Sequence, residues 1–290
     1  MSLKRDANRS EECRSSSGAG TYGLHLDGLA GARRLLSNAP DDWPVVRVEQ
    51  RVGTADIDHD MVDDERAAFQ LQANAGSVEL DRATLTARFT MSKPTDDEAI
   101  VHPFFALSAA ILSRWLGRDA FHAGAFVVDD GAWAILGKKG TGKSSTLGFL
   151  AVNGTTVVTD DVLVLEDGDV LAGPSCVDLR PDAAAFLGAG EDLGVVGARS
   201  RFRVVLPTAP PRVPLRGWVF PTWSDTLELV PVPVPHRLSL LAANLALKRA
   251  PIQPERFLDF AALPCWELRR PQHFAMLDES AALLLDRLRG

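Results

Sequence analysis

The stretch Gly137-Lys138-Lys139-Gly140-Thr141-Gly142-Lys143-Ser144 restricts this chain more than any other. It fits the spacing G-x-x-x-x-G-K-[ST], with an apolar run, Trp133-Ala134-Ile135-Leu136, before it and a helix-forming run, 144–154, closing at Gly154 after it. Such a loop works between a strand and a helix. Its glycines let the backbone curl so that several N–H groups point at one anion, where a Cβ would collide. The following helix turns its positive end to the same place. The chain is therefore expected to have an α/β fold with a phosphate-loop core. Residues Gly137 to Ser145 would line a nucleoside triphosphate, taken as ATP. Lys143 would reach its β- and γ-phosphates, and the Ser144 hydroxyl would ligate Mg²⁺.

A phosphate loop alone does not separate a kinase from an ATPase or a GTPase; its surroundings decide. Val157-Val158-Thr159-Asp160-Asp161 puts two carboxylates at the end of a β-branched strand, the second eighteen residues after Lys143. An acid there can hold Mg²⁺ directly or through water, the role expected of Asp160. A second, adjacent acid can take the proton of an attacking hydroxyl. Asp161 is read in that role or, alternatively, as the start of a solvated turn. His122, in Phe121-His122-Ala123-Gly124 before the loop's strand pair, is the third candidate, against the plainer reading of a hydrogen-bonded structural histidine. The other five, His25, His59, His102, His236 and His273, take that plainer reading.

The chain divides into three parts. Residues 1–20 are polar and expected to be a disordered leader. Residues 21–100 read as a small β-rich module. The runs 45–52, 67–73, 77–80 and 84–90 alternate apolar and polar residues, with tight connections at Ala75-Gly76 and Asp81-Arg82. From 101 to 290 the period changes to that of the phosphate-loop domain. A helix is expected over 104–117, then a hairpin turning at Asp129-Asp130-Gly131, the loop with its helix, and two strands across 155–173. Further strands and two helices, 237–249 and 278–289, complete a proline-punctuated C-terminal third.

Acidic residues outnumber basic ones, 38 to 31, for a net charge of −7, so no long-range basic field is available for nucleic acid or an anionic membrane. Cys13, Cys176 and Cys265 are too far apart for a CxxC pair, which argues against a disulfide framework or a zinc site. The N-terminus has no apolar signal region, and no apolar run reaches membrane-spanning length. The expected location is the cytoplasm.

The histidine, phosphate loop and Asp-Asp strand together resemble the HPr kinase/phosphorylase family, whose catalytic domain is akin to phosphoenolpyruvate carboxykinase. His122 precedes Gly137 by fifteen residues and Gly154 precedes Asp161 by seven, intervals similar to that family's. The resemblance implies a kinase domain in which Lys143 binds phosphate, Ser144 the metal, Asp161 acts as general base, Asp160 supports Mg²⁺ and His122 tunes Asp161. It also implies an acid on the metal from a Glu-x-Arg-Gly stretch, for which Asp178-Leu179-Arg180 stands in, with Pro181 replacing the glycine. Arg201, Arg203 and Arg216 are all candidates for the family's later active-site arginine. Ala123 separates His122 from Gly124, a departure that bears on the role of His122, and the family's Glu-Ile-Arg-Gly-Leu-Gly run is missing, which argues against HPr as substrate and against a reverse phosphorylase activity. In layout the chain looks more like the HPr-kinase homologues of lasso-peptide gene clusters, through HPFFALSAAILSRWLGRDAFHAG, GPSCVDLRPD, PLRGWVF and LPCWELRRP. That group phosphorylates a serine of a precursor peptide, typically at its C-terminus.

The resulting expectation is an ATP- and Mg²⁺-dependent kinase acting on a serine hydroxyl of a peptide or protein. Two alternatives stay open: a nucleotide-sensing or hydrolysing regulatory module, and a kinase for a small hydroxylated metabolite. Whether the chain is a homo-oligomer is equally open. The acidic run 56–65 fits a calcium loop at Asp56, Asp58 and Asp60 but has Met61 where glycine is required, and reads as a solvated loop. Lys138 and Lys139 add charge toward the nucleotide or are simply exposed. Arg269-Arg270 is read as a surface pair or as a holder of a carboxylate or phosphate, and Trp218, Trp223 and Trp266 as packing residues.

Overall fold

The computed structural model of the chain describes residues 18–54, 57 and 59–289. Residues 1–17 of the expected leader, with Cys13, and the acids Asp56 and Asp58 lie outside these described residues. The fold is mixed α/β with three sheets.

The N-terminal sheet has eight strands: β1 (Ala19–Thr21), β2 (Leu24–Asp27), β3 (Ser37–Asn38), β4 (Val45–Val52), β5 (Met61–Val62), β6 (Arg66–Gln70), β7 (Gly76–Asp81) and β8 (Thr86–Met91), in the order β3-β1-β2-β4-β8-β7-β6-β5. Alternation along β4 buries Val46 and Val48 and exposes Val45 and Arg47. The β4 strand runs parallel to both β2 and β8, while the other neighbours are antiparallel. A single helical turn, α1 (Asp97–Ala99), and a π-helical turn over Ile100–Phe104 lead into α2 (Phe105–Trp115). The apolar face of α2 lies on the sheet: Phe105 meets Phe89 at 6.4 Å between ring centroids, and both belong to one buried cluster with Ala109, Ile111 and Leu112. That cluster continues into the rest of the chain through Val162, Val164 and Leu171.

The second sheet holds β9 (Asp119–Phe121), β10 (Ala123–Val128), β11 (Gly131–Leu136), β12 (Val157–Thr159), β13 (Leu163–Glu166) and β14 (Asp169–Leu171), with three later strands introduced below. The expected hairpin forms as β10 and β11, and Asp129 takes a left-handed φ of 54° at its turn. The segment expected to give two strands gives three, because Asp160 and Asp161 break it before Leu163. The loop helix is α3 (Lys143–Val152). Next come β15 (Cys176–Leu179), the helix α4 (Pro181–Leu187), and the hairpin β16 (Glu191–Val196) and β17 (Arg199–Val205), which together with β15 forms the third sheet.

The 12-residue strand β18 (Arg212–Trp223) is the spine of the second sheet. It pairs in parallel with β11 and with β20 (Cys265–Arg270), whose other edge takes β19 (Glu228–Pro231). One face of this sheet packs on α5 (Val234–Ala243) and α6 (Pro254–Ala262), where the Trp218 indole donates to the Phe260 carbonyl at 2.7 Å. The other face packs on α3 and α7 (Leu277–Leu288) through Leu147, Leu150 and Leu284.

The helix expected over 237–249 corresponds to α5, which starts after Pro233 and ends at Ala243. It stops there because the chain returns to the sheet: the Ala246 N–H donates to the Ala120 carbonyl, and Leu245 bridges Phe121. The expectation had no counterpart for α4 or α6. Both open with proline in the first turn, where its missing N–H costs nothing. Among the described residues no helix is long and apolar enough to cross a membrane.

Candidate active site

All six residues of β11 are buried, so the strand delivers Gly137 rigidly to the edge of a cavity of about 830 Å³. Gly137, Gly140 and Gly142 have φ of 148°, 93° and 85°, the left-handed region that side chains resist. The loop curls around its own lysine. The Lys143 ammonium donates to the carbonyls of Gly137 at 2.6 Å and Lys138 at 3.4 Å, and burial holds its pKa below the ordinary lysine value. Lys143, Ser144, Ser145, Lys139, Gly140 and Gly142 line the cavity. Lys138 and Lys139 are exposed, and Thr141 closes the turn by donating to the Lys138 carbonyl.

Strand β12 ends beside this loop. Asp160 is buried, and one of its oxygens accepts from the Ser144 hydroxyl at 3.2 Å. Burial, and then the neighbouring charge of Asp161, push its pKa up to about 7. The chain then turns sharply: the Val162 N–H donates to the Asp160 carbonyl at 2.9 Å, and the Thr159 hydroxyl donates to the Val162 carbonyl at 2.5 Å. The turn forces Asp161 to a φ of 70°, a conformation an aspartate pays for. Its carboxylate is left partly exposed in the cavity wall.

His122 joins β9 to β10 and is pinned by its backbone N–H, which donates to the Asn244 carbonyl at 2.8 Å. Its Nδ1 lies 3.0 Å from the Asp161 carbonyl oxygen and 3.4 Å from the Asp161 carboxylate. Contact with a carbonyl, which can only accept, assigns the proton to Nδ1 and leaves Nε2 as an acceptor. Burial holds the imidazole pKa below its ordinary value, against the smaller pull of Asp161. His122, Asp160, Asp161, Lys143 and Ser144 thus line one cavity.

Asp178, expected on the metal, is engaged by two arginines and a histidine. Its carboxylate is 1% exposed and accepts from Arg203 at 2.8 and 3.0 Å and from Arg201 at 3.2 Å, with His102 at 3.5 Å. Burial raises its pKa, but His102, Arg203 and Arg201 hold it below the ordinary value overall. His102, Cys176 and Asp178 are close enough to hold a cation, but the two arginines already supply the positive charge there. Of the three candidate arginines, Arg201 lines the cavity, Arg203 is buried on Asp178, and Arg216 is exposed beside Asp130 and lies off the cavity lining.

Several lining residues were not anticipated. Arg180 and Arg199 reach the cavity and form no ion pair among the described residues. The end of β6 with the residue after it, the turn before α2 and the first turn of α2 supply a further wall, including Phe69, Leu71, Phe104 and Leu107. Arg269 and Arg270 separate: Arg269 pairs with Glu267 and Glu228 at the surface, while Arg270 is buried against the phosphate loop. Strand alternation sends adjacent residues to opposite faces, so a period of two over 265–270 was the available signal.

No protein-family profile matches the chain, and no curated protein matches its sequence. Among solved structures it is similar to the HPr(Ser) kinase/phosphatase from Coxiella burnetii, at 13% identity and a TM-score of 0.30 over 59% of this chain and 97% of that one. At that identity and score the match sets no residue correspondence.

Proposed function

We propose that the chain is an ATP- and Mg²⁺-dependent kinase that phosphorylates a serine hydroxyl of a peptide or protein. One observation carries this reading: a phosphate loop, a buried acid on the loop serine, and a second acid paired with a histidine share one cavity. An acid so placed can take the proton of a serine hydroxyl or of a water, and the formation of phosphopeptide separates the two.

The residues fit a divalent cation. The Ser144 hydroxyl and the Asp160 carboxylate stand 3.2 Å apart, and Asp160 forms no ion pair among the described residues, a hard-oxygen pair suited to Mg²⁺. Bound there, Mg²⁺ would supply charge neutralisation on the transferred phosphoryl group. Lys143 and the N–H groups of the loop bind and orient the β- and γ-phosphates. Asp161 faces the cavity and accepts the proton of the attacking hydroxyl, while the bond from that oxygen to the γ-phosphorus forms and the bond to the β-phosphate oxygen breaks, releasing ADP. His122 fixes the Asp161 backbone and, as a neutral donor, orients its carboxylate without lending it a full charge.

The cavity's extension to Phe69, Leu71, Phe104 and Leu107 supports a chain-like acceptor over a small metabolite. The finer assignment, a C-terminal serine of a lasso precursor peptide, rests on the sequence resemblance. The test is intact-mass analysis of a serine-ending precursor peptide incubated with ATP, Mg²⁺ and enzyme. Wild type is expected to add one phosphate. Asp161→Asn is expected to lose about 10² to 10⁴ in transfer rate while ATP affinity is retained, and Lys143→Ala to lose binding and transfer together. ATP consumption without phosphopeptide would replace the reading with a hydrolase.

A further inference from the structure

Arg270 is 2% exposed and has no carboxylate partner among the described residues. Its Nε and Nη1 are buried without hydrogen-bond partners. Isolated buried charge is expensive, and a guanidinium in such a place needs a reason. Burial lowers its pKa to about 10, which still leaves it charged at neutral pH.

Its surroundings supply the reason. Trp223 and Arg270 are register partners on β18 and β20, and the guanidinium lies 5.2 Å from the centre of the Trp223 ring. Both line the cavity beside Lys143 and Ser144, and together they hold the phosphate loop. The Trp223 indole donates to the Gly140 carbonyl at 3.1 Å. Arg270 Nη2 donates to the Thr146 hydroxyl at 2.8 Å and approaches the carbonyls of Gly142 at 3.3 Å and Thr141 at 3.4 Å. In a trans peptide the N–H of the next residue points opposite to the carbonyl. Holding the Thr141 and Gly142 carbonyls on one side therefore turns the N–H groups of Gly142 and Lys143 to the other, away from the clamp. Gly142 fits against the pair closely: a Cβ there would stand 2.5 Å from Nη2.

We infer that Arg270, backed by Trp223, is a positioning residue that orients the phosphate loop and supplies a buried counter-charge to a bound polyphosphate. The inference rests on the phosphate-site reading above. Arg270 lines the same cavity as Lys143 and Ser144, and its charge in this poorly solvated region acts on a polyphosphate bound there. The ligand's own charge then sets how much Arg270 contributes.

The test is isothermal titration of the full chain, as wild type, R270Q and R270K, with AMP, ADP and ATP, together with melting temperatures without nucleotide. R270Q is expected to lose roughly tenfold in ATP affinity, less for ADP and least for AMP, and to melt no lower than wild type because an unpaired buried charge is gone. R270K keeps the charge and loses the fork, so its smaller losses should be equal for ADP and ATP. Losses in R270Q equal for all three nucleotides, with a lowered melting temperature, would reduce Arg270 to a structural prop and overturn the inference. If R270Q does not fold, R270K decides, and wild-type ATP affinity in that variant overturns the clamp. A wild-type chain that binds no nucleotide overturns the phosphate-site reading itself, which separates that failure from this one.

Discussion

The Nδ1 of His122 stands 3.0 Å from the carbonyl oxygen of Asp161 and 3.4 Å from its carboxylate, so one ring nitrogen serves both the backbone and the side chain of the residue proposed as base. Thirty-nine residues separate the two in sequence. The contact stabilises a left-handed aspartate, and burial favours the neutral imidazole in it.

The first prediction concerns that contact. His122→Asn is expected to lower transfer about tenfold or more, with ATP affinity unchanged. Since burial holds the histidine pKa below 6.5, wild-type activity at saturating Mg²⁺, which keeps Asp160 ionised, should persist as pH falls through 6.5 and decline when the ring takes a second proton. A pH–rate profile checks this. An acid limb identical in wild type and His122→Asn would assign the limb to another group.

Asp160 gives a pH-dependent stability. Its folded pKa of about 7 lies above the ordinary carboxyl value of 3.8, so the folded state favours the proton and the ionised carboxylate is a burden. The burden is complete above pH 7 and is relieved as pH falls toward 4. Asp160→Asn should therefore melt higher than wild type at pH 8 without divalent cations, with the gap closing by pH 5. Mg²⁺ should raise the wild-type melting temperature more at pH 8 than at pH 6, since the ligand must be deprotonated. A gap independent of pH would mean that Asp160 is not the titrating group.

Asp178→Asn removes the negative centre of a buried cluster and leaves Arg203, 1% exposed, with Glu98 at 3.8 Å as its nearest acid. Breaking such a pair from one side costs about 3–5 kcal/mol, which urea unfolding would read. The Mg²⁺ concentration for half-maximal activity should not move. Unchanged stability with a raised Mg²⁺ requirement would return Asp178 to the metal.

The loop glycines should separate by environment. At Gly142 a Cβ would meet both Arg270 and Trp223, at 2.5 and 3.1 Å, and φ is 85°. At Gly140 φ is 93° but nothing lies within 4 Å. Gly140→Ala should cost only the backbone term of about 1–2 kcal/mol, and Gly142→Ala more, with loss of nucleotide binding. Equal effects, measured by thermal melts and ATP titration, would show that the clamp does not press on the loop.

The sequence alone determined the features that reside within a few neighbouring residues. The glycine spacing of 137–142, the alternation of 45–52, the turn at Asp129-Asp130 and the acids ending β12 each express a local backbone preference or period, and so are legible one after another. Tertiary structure alone decided which distant side chains meet. Asp178 reads as a metal ligand in the sequence, and only the fold brings Arg201 and Arg203 onto it from the facing strand, 23 and 25 residues on. Arg270 looks like half of a surface pair until parallel pairing of β20 with β18 brings it against Gly142, 128 residues away. Those outcomes follow from strand order and register, and a one-residue change of register would turn every such side chain to the other face. Charge compensation at a site depends on which side chains surround it in space, and no local window of the sequence contains that information.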